Sequence, residues 1–411
     1  MVSTLCSSLA VGATAPAVSA ASLRTAASGG PITMWGYWDP TGANGQVLQA
    51  NLLKKWTKLF EQASPGSTVN YSYVPYDQMD SKLISAATAR TGPDVVLMGG
   101  SSTASDALGG SLADSTAFFR KSGLLKAYPA VVEHSLKGKY YSIQPYVNLD
   151  GIMYNATILS KLHLSVPTNY TQFLADMKAA KVAGYWGLTL TASPDGEGEF
   201  DAHPWLTNAG FDFAHPTMSA LVAGLSYAQQ WVAAGYVSKE TSTFSTPLSF
   251  SNWMAGKTLF YQGGNWNIGA ATAGAKFKWG DFAMPLGPRG QIYLGGEALA
   301  VGAFTSKAAL AQTFVAAALS KQGDLDTLPL GSIPVRFDVA SNPAITNDPL
   351  LKPYAAEVKN NPGVFPPTAI KPADVNEEYT IVGQAWSSVI AGGSPQKAAA
   401  TLLPQLLKLI V

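Results

Sequence analysis

A tryptophan between two asparagines follows a pair of glycines in the segment GKTLFYQGGNWNI, residues 256–268. The apolar run before the glycines has strand character, and the glycines let the backbone turn tightly at the end of that strand. Such a turn can present the indole of Trp266 at a strand end, with the amides of Asn265 and Asn267 beside it. An apolar face next to directional donors and acceptors suits a polyhydroxylated ligand. The alternative is an indole that caps a sheet from inside the core.

Aromatic and acidic residues with similar chemistry stand at other predicted strand ends. Glu297 follows Gly296 in the sequence LGGE, where its carboxylate can accept hydrogen bonds from two adjacent hydroxyls or, alternatively, pair with an arginine across the molecule. Asp39 offers a second acceptor at the end of the first strand. The candidate ligand-binding residues chosen on these grounds are Tyr37, Trp38, Asp39, Tyr76, Ser101, Tyr146, Trp266, Asn267, Gly296, Glu297 and Arg336.

Catalytic, metal and cofactor sites receive little support from the sequence. The alternating acids Asp195, Glu197, Glu199 and Asp201 loosely resemble a calcium loop but lack the spacing and terminal glutamate of an EF-hand, so we expect a solvated loop there. The four histidines show no metal-ligand spacing, and no G-x-S-x-G, P-loop or H-E-x-x-H motif is present. We therefore expect no catalytic residue, no metal and no cofactor.

The composition describes a folded protein with an unusually weakly charged surface. The chain has 411 residues and a net charge of +1, and 13% of its residues are charged, where about 25% is typical. Its length predicts two lobes, and the lack of a basic excess argues against nucleic-acid binding. An acidic environment would explain the few charges, because carboxylates lose their charge in acid and many lysines would then repel one another.

The N-terminus resembles the end of a secretory signal. Residues 1–22 are small and mildly apolar, with A-x-A-like sites, but they lack a basic start. Cys6 is the single cysteine, so an internal disulfide is excluded. The residues before Cys6 do not match a lipobox, and this mismatch favours an unmodified signal residue over a lipid-modified cysteine. We expect an extracytoplasmic protein, secreted or tethered to the outer face of the membrane.

The first part of the chain alternates between strands and helices. A strand at 32–38, a helix at 47–62, an alternating strand in PGSTVNYSYVPY, a helix at 78–89 and a buried strand in PDVVLMGG follow one another. This order predicts an α/β lobe whose parallel sheet has helices on both faces. Ligands of such sheets bind at the carboxyl ends of the strands, here near Trp38, Tyr76 and Ser101.

A second unit begins near residues 138–155, where proline interrupts two strand-like runs. The proline favours a crossing segment there, and FAMPLGPRG, residues 282–290, resembles a return crossing. The remaining predicted elements are helices near 170–181, 217–234, 307–319, 381–390 and 395–407, and strands in GYWGLTL, GKTLFYQ and YLGGEALAVG.

Four segments, in this order, are similar to motifs of the carbohydrate-binding family of extracellular solute-binding proteins of ABC importers, the maltose-binding-protein family. They are FEQASPGSTVNYSYVPYDQMDSKLISAATARTGPDVVLMGG, GKYYSIQPYVNLDGIMYNATIL, GKTLFYQGGNWNI and LGGEALAV. Each motif alone is weak, and the correct order at compatible spacing carries the resemblance. It covers almost all of residues 31–411.

The resemblance implies a two-lobed periplasmic-binding-protein-like fold, each lobe a sheet flanked by helices, with a ligand in the interlobe cleft. The hinge crossings that it implies lie near 144–148, 284–287 and 332–335. Its implied lobes are 31–146 plus 288–333 and 147–287 plus 334–411, after a leader and linker at 1–30. Trp266 matches the family's cleft tryptophan, Trp205 lies where another stacking aromatic is common, and Asn148 stands where a relative has a glutamate. The implied partners are a carbohydrate and ABC importer permease subunits, with no nucleic acid, and the receptor is expected to be a monomer and not an enzyme.

Two other functions remain open from the sequence alone. A glycoside hydrolase needs two carboxylates across a cleft, and Asp39 with Glu297 can supply them. A receptor of the same fold for a different solute is the other alternative. A polyamine would require several carboxylates in the cleft and a phosphoester several basic groups, and the sequence shows neither cluster.

Overall fold

The computed structural model describes residues 29–43, 46–354, 362–363 and 365–411. The leader with Cys6 lies outside the described residues. The strands in chain order are β1 (Pro31–Gly36), β2 (Thr68–Tyr73), β3 (Val95–Gly99), β4 (Glu133–Leu136), β5 (Lys139–Ile143), β6 (Tyr146–Val147), β7 (Asp150–Asn155), β8 (Trp186–Thr189), β9 (Thr258–Gly264), β10 (Trp279–Phe282), β11 (Ile292–Tyr293), β12 (Glu297–Val301), β13 (Ile333–Pro334) and β14 (Pro362–Gly363).

Helices cover both faces of the sheets. The α-helices are Val47–Ala63, Tyr76–Thr88, Thr103–Leu108, Thr116–Ser122, Leu124–Ala127, Ala156–Lys161, Tyr170–Val182, Gly196–Asn208, Met218–Ala233, Thr246–Met254, Ile268–Gly274, Ala308–Ala318, Lys321–Leu325, Pro343–Thr346, Val375–Ile390 and Pro395–Leu409. Of the seven helices expected from apolar periodicity, six agree with an observed helix within two residues at each end, and the seventh, Val375–Ile390, begins six residues earlier than expected. Among the described helices, none combines the length and the apolarity that a membrane span requires.

The first sheet has the strand order β2-β1-β3-β12-β5-β4. Its first three strands are parallel, as their alternation with helices predicts, but β12 runs antiparallel to both β3 and β5. The strand β12 arrives from the second lobe and so enters the sheet in the opposite direction. The pair β4 and β5 is a hairpin whose turn residues Lys137 and Gly138 both have positive φ, as a tight hairpin turn requires. The sheet is therefore mixed.

The second sheet has the order β10-β7-β9-β8. In it β9 lies antiparallel to β7 and parallel to β8. The two C-terminal helices, Val375–Ile390 and Pro395–Leu409, pack on the helices of this lobe, whereas the helix Ala308–Ala318 packs on Val47–Ala63 beside the first sheet. The predicted α/β class with two sheets is confirmed.

Three segments connect the lobes. The strands β6 and β13 pair antiparallel, in agreement with crossings expected at 144–148 and 332–335. The middle crossing lies further along the chain than the expected 284–287, because Gly295 forms the bridge to Asn148. Before that point Gly287 still bonds to Asn208 and Tyr293 to Glu199, both in the second lobe.

Candidate functional site

A cavity of about 450 Å³ lies between the two sheets. The carboxyl ends of β1, β2 and β3 form one wall through Trp38, Tyr76 and Ser101. The opposite wall comes from the start of the helix Gly196–Asn208 and from Trp266. This is the position that the strand-end rule for open α/β sheets predicts.

The turn after β9 holds the indole of Trp266 at the cavity. Residues Asn265–Asn267 form a single 3-10 turn directly after the strand. A side chain at Gly264 would collide with the ring of Trp266, so glycine is required where the indole folds back on the strand. The indole is half-buried, and Phe200 packs edge-to-face against it with 5.8 Å between the ring centroids. Trp266 is therefore a wall residue of the cavity and not a core residue.

The neighbouring Asn265 serves the crossing segments. Its side chain is fully buried, and its Oδ1 accepts a hydrogen bond from the Leu149 amide at 2.7 Å. Its Nδ2 donates to the carbonyls of Gly331 at 2.9 Å and Val147 at 3.4 Å. One amide thus joins the first and the last crossing to the turn that carries Trp266.

Replacing this amide is expected to destabilise the protein. Asn265→Ala leaves a buried amide and two buried carbonyls with fewer partners, which costs about 2 to 3 kcal/mol of unfolding free energy. Urea denaturation of the variant measures that loss. The exposed Asn347 provides the control, since Asn347→Ala is expected to change stability by less than about 0.5 kcal/mol. An equal, small effect at both positions would contradict the joining role of Asn265.

The carboxylate of Glu297 stands at the start of β12, where the crossing segments meet the cavity. Asn148 donates to its Oε2 at 3.1 Å, and the hydroxyls of Tyr37 and Tyr146 lie beside it. Burial raises the pKa of Glu297, and the hydroxyls oppose that shift by favouring the charged form. Within the described residues, no arginine pairs with this carboxylate, which removes the alternative of a Glu297–arginine ion pair.

The acidic segment after residue 194 is helical, so the expected solvated loop is wrong. Asp195 caps the helix Gly196–Asn208 by accepting from the backbone amides of residues 197 and 198. Two glycines and an internal proline disfavour a helix here, so the apolar pattern did not predict one. The capping aspartate is the sequence signal that could have indicated the start of the helix. Glu199 and Asp201 are buried, while Asp195, Glu197 and Asp201 line the cavity.

Burial and like charges hold protons on several of these acids. Burial raises the pKa of Glu197 to about 7, and the nearby Asp195 and Asp77 add to the shift, although the Thr246 amide donates to Glu197 at 2.9 Å. Burial likewise raises the pKa of Glu199 to about 8. Within the described ranges, no group of three or more His, Cys, Asp and Glu side chains is arranged to hold a metal ion.

Eight of the sequence-predicted residues meet at the cavity wall. They are Tyr37, Trp38, Tyr76, Ser101, Asn148, Trp266, Gly296 and Glu297. Gly296 has a φ of +142°, and a side chain there would clash with Gln144 and with the Tyr146 carbonyl. The position therefore requires glycine at the point where the chain enters the wall.

The other predicted residues lie behind the wall or away from it. Trp205 is fully buried in the second lobe, where its Nε1 donates to Gln262 at 2.7 Å. Asn267 accepts a hydrogen bond from the hydroxyl of Tyr261 at 2.9 Å. Tyr146 is buried behind Glu297.

Two further predicted residues bond within their own neighbourhoods. Asp39 accepts from the amide and hydroxyl of Thr41 in a local turn. Arg336 pairs with Asp338 at 2.7 Å and donates to the Leu319 carbonyl at 3.0 Å.

The sequence analysis did not select several residues that line the cavity. Tyr73 and Asp77 flank the end of β2, so the strand-end rule could have included them. Gln46, Phe200 and Phe365 have no such signal, because each comes from a different segment that only the tertiary fold brings to the cavity.

Solved structures share this fold at low sequence identity. The GacH receptor of Streptomyces glaucescens, solved unliganded and with acarbose, is 21% identical, with 92% of this chain and 99% of that chain covered and a TM-score of 0.78. Maltose-bound T. maritima MalE3 is 17% identical, with coverage of 92% and 99% and a TM-score of 0.80. An ABC transporter solute-binding protein from Agrobacterium radiobacter K84 in complex with ribitol is 19% identical, with coverage of 93% and 99% and a TM-score of 0.75.

The sequence itself places the chain in a family. No curated protein matches it by sequence. The family model of the bacterial extracellular solute-binding proteins, however, matches residues 55–353, which is more than half of the chain. Together with the two sheets, the crossing segments and the cavity between them, this match shows that the chain belongs to the bacterial extracellular solute-binding proteins.

Proposed function

We propose that this solute-binding protein captures a sugar or an oligosaccharide in the interlobe cavity and delivers it to the permease of an ABC importer. The composition of the cavity wall carries the proposal. Its aromatic residues are Tyr37, Trp38, Tyr73, Tyr76, Phe200, Trp266 and Phe365, and amides, hydroxyls and carboxylates lie among them. Aromatic faces stack on the C–H faces of sugars, and planar polar groups fix the hydroxyls.

The similar structures support the same ligand class. Their ligands are acarbose, maltose and ribitol, all rich in hydroxyl groups. The low identity leaves room for a different sugar here. Asn148 occupies a place where the sequence resemblance implies a glutamate, and its amide donates to Glu297. We therefore expect the cavity to bind a different hydroxyl pattern, because this position lacks the second carboxylate.

In the proposed site the half-buried indole of Trp266 stacks on a sugar ring. Ser101 and Tyr76 contact the same sugar from the opposite wall. The carboxylate of Glu297 accepts hydrogen bonds from the sugar hydroxyls, and the hydrogen bond from Asn148 orients that carboxylate. Trp205, Asn267, Tyr146, Asp39 and Arg336 position the wall in this proposal, because their polar groups already bond to protein atoms or lie behind other residues.

The lobe boundaries proposed from the sequence are 31–146 plus 288–333 and 147–287 plus 334–411. The bridge between Gly295 and Asn148 favours placing the boundary now at 287/288 near residue 295 instead. Closure of the lobes about the crossings would bring the two cavity walls onto the sugar. The family is extracellular, and we propose that the receptor acts there as a monomer.

The alternative of a glycoside hydrolase receives no support from the wall. Asp39 is not among the residues that line the cavity, and its carboxylate accepts from Thr41 in a local turn, so no second carboxylate at this position faces Glu297 in the structure. The family consists of binding proteins. Incubation with labelled oligosaccharides tests the difference, and we expect no turnover. Release of shortened products by the purified protein would overturn the receptor proposal.

A thermal-shift screen over mono- and oligosaccharides tests the proposed function. A sugar at about 100 times its Kd stabilises the folded protein by about 2.7 kcal/mol, so the correct sugar raises the Tm. The T. maritima comparison makes maltose and longer maltodextrins a reasonable first set. If only amino acids, peptides or phosphoesters raise the Tm, the sugar assignment is wrong.

A further inference from the structure

All charged side chains that line the cavity are acidic. They are Asp77, Asp195, Glu197, Asp201 and Glu297. Within the described part of the chain, no lysine or arginine reaches this wall. The sequence analysis found no such cluster, because these acids come from three segments that are far apart in the chain. The fold therefore gathers five carboxyl groups, and no basic group among the lining residues, in a protein whose net charge is +1.

Two of these acids come from opposite lobes. Asp77 lies in the first turn of the helix Tyr76–Thr88, and Glu197 lies in the first turn of Gly196–Asn208. Both line the same cavity, Asp77 from the strand ends of the first lobe and Glu197 from the opposite wall. Closing the lobes on a neutral ligand brings the two carboxyl groups into a medium of lower dielectric constant, which penalises any negative charge that they carry.

A buried hydroxyl also lacks a partner at the opposite wall. Ser101 lines the cavity with 3% of its surface exposed, and its Oγ makes no hydrogen bond of normal geometry. The hydroxyl of Tyr379 lies near it without completing such a bond. Because buried polar groups are nearly always bonded, this hydroxyl points to a polar ligand group that reaches the strand ends of the first lobe.

We propose that the ligand is an amino sugar whose protonated amine binds between Asp77 and Glu197 while its hydroxyls bind Ser101 and Glu297. This inference rests on the proposed function, since it specifies the class of sugar. An ammonium group donates three hydrogen bonds and carries one positive charge, so it satisfies carboxylates from both lobes at once. The amine also favours the charged form of Glu197, and the bridge between the two acids favours the closed form.

Matched oligosaccharides provide the test. Isothermal titration at about pH 7.5, above the pKa of about 7 that burial gives Glu197, compares glucosamine oligomers, their N-acetylated forms and cello-oligosaccharides of the same length. These ligands place an amine, a neutral amide or a hydroxyl at one position. We expect the glucosamine oligomers to bind at least tenfold more tightly. The advantage is expected to shrink as NaCl rises from 0.05 to 0.5 M, because salt screens the carboxylates.

Two variants locate the amine. Glu197→Gln and Asp77→Asn each keep the size of the side chain and remove its negative charge, and each is expected to reduce the preference for glucosamine oligomers over neutral oligomers to about twofold. Asp212→Asn, at an exposed acid outside the cavity, is expected to keep the full preference. A melting curve of each variant confirms that it is folded.

The outcomes separate this inference from the proposed function. Neutral oligomers that bind as tightly as the glucosamine oligomers would overturn the amine site and leave a sugar receptor. A preference that survives in both cavity variants would also overturn it. Binding of spermidine with no binding of any sugar would overturn both the amino-sugar inference and the sugar-receptor function.

Discussion

Lowering the pH from about 8 to about 5 is expected to raise the unfolding free energy of this protein by about 4 kcal/mol or more. The cause is a set of buried carboxyl groups that the folded protein keeps protonated. Burial raises the pKa of Glu199 and of Asp281 to about 8 and that of Glu197 to about 7. Burial also raises the pKa of four other acids well above the usual value of each. They are Asp106, Asp201, Asp324 and Glu378.

The unfolding free energy increases at low pH because the folded and the unfolded chain bind different numbers of protons. Unfolded Asp and Glu titrate near pH 4, so between about pH 4 and pH 8 the folded protein holds protons that the unfolded chain has released. The stabilisation is complete below about pH 4 and is lost as the pH rises through the folded pKa values. For Glu199 alone the change between pH 5 and pH 8 amounts to about 3 kcal/mol.

Two buried histidines reduce this increase in unfolding free energy at low pH. Burial lowers the pKa of His203 to about 3 and that of His134 to about 4. Below about pH 6.5 the unfolded chain therefore binds protons that the folded protein does not, at a cost of about 2 kcal/mol per histidine at pH 5. The carboxyl groups outnumber the histidines, so we expect maximum stability between about pH 4 and pH 5.

Differential scanning calorimetry between pH 3 and pH 8 measures this dependence. We expect the Tm to rise by about 5 °C or more from pH 8 to pH 5, given the unfolding entropy of a chain of this length. Glu199→Gln, which resembles the protonated acid, is expected to flatten the curve above pH 5, whereas the exposed Asp212 changed to Asn is expected to leave it unaltered. A Tm that peaks at neutral pH would contradict both this prediction and the acidic-environment hypothesis.

Local periodicity predicted the parts of the fold that depend on one segment. The helices Tyr170–Val182 and Met218–Ala233 and the parallel start of the first sheet match the prediction, because each shows its apolar pattern within a single stretch. The helix Gly196–Asn208 did not, because its glycines and proline conflict with helix propensity and its cap and tertiary packing determine it.

The cavity itself depends on contacts that no single segment encodes. Trp266 and Glu297 could be proposed because each follows glycines at a strand end. Whether an aromatic such as Trp205 faces the cavity or the core depends on packing between helices, and the structure buries it. The cluster of carboxyl groups at the cavity forms only when Asp77 and Glu197, which are 120 positions apart in the sequence, line it from opposite walls.

Trp266→Ala is expected to weaken sugar binding about 30-fold or more with little loss of stability. Buried interface tryptophans typically contribute about 2 kcal/mol or more to binding, which corresponds to that factor. The indole packs on Phe200 at one side and on the backbone of Gly264, and its half-buried remainder faces the cavity. Removing it therefore takes away a stacking surface and leaves the core of each lobe in place.

A matched pair of variants distinguishes stacking from a general loss of structure. Trp186, 39% exposed, lies on β8 outside the cavity wall and packs against Lys181, so Trp186→Ala removes an indole of similar exposure without touching the site. Titration calorimetry with the sugar found in the thermal-shift screen is expected to show weak binding for Trp266→Ala, intermediate binding for Trp266→Phe and normal binding for Trp186→Ala. Unchanged affinity in Trp266→Ala would remove the indole from the site, because a ring that stacks on the ligand cannot be lost without a measurable decrease in affinity.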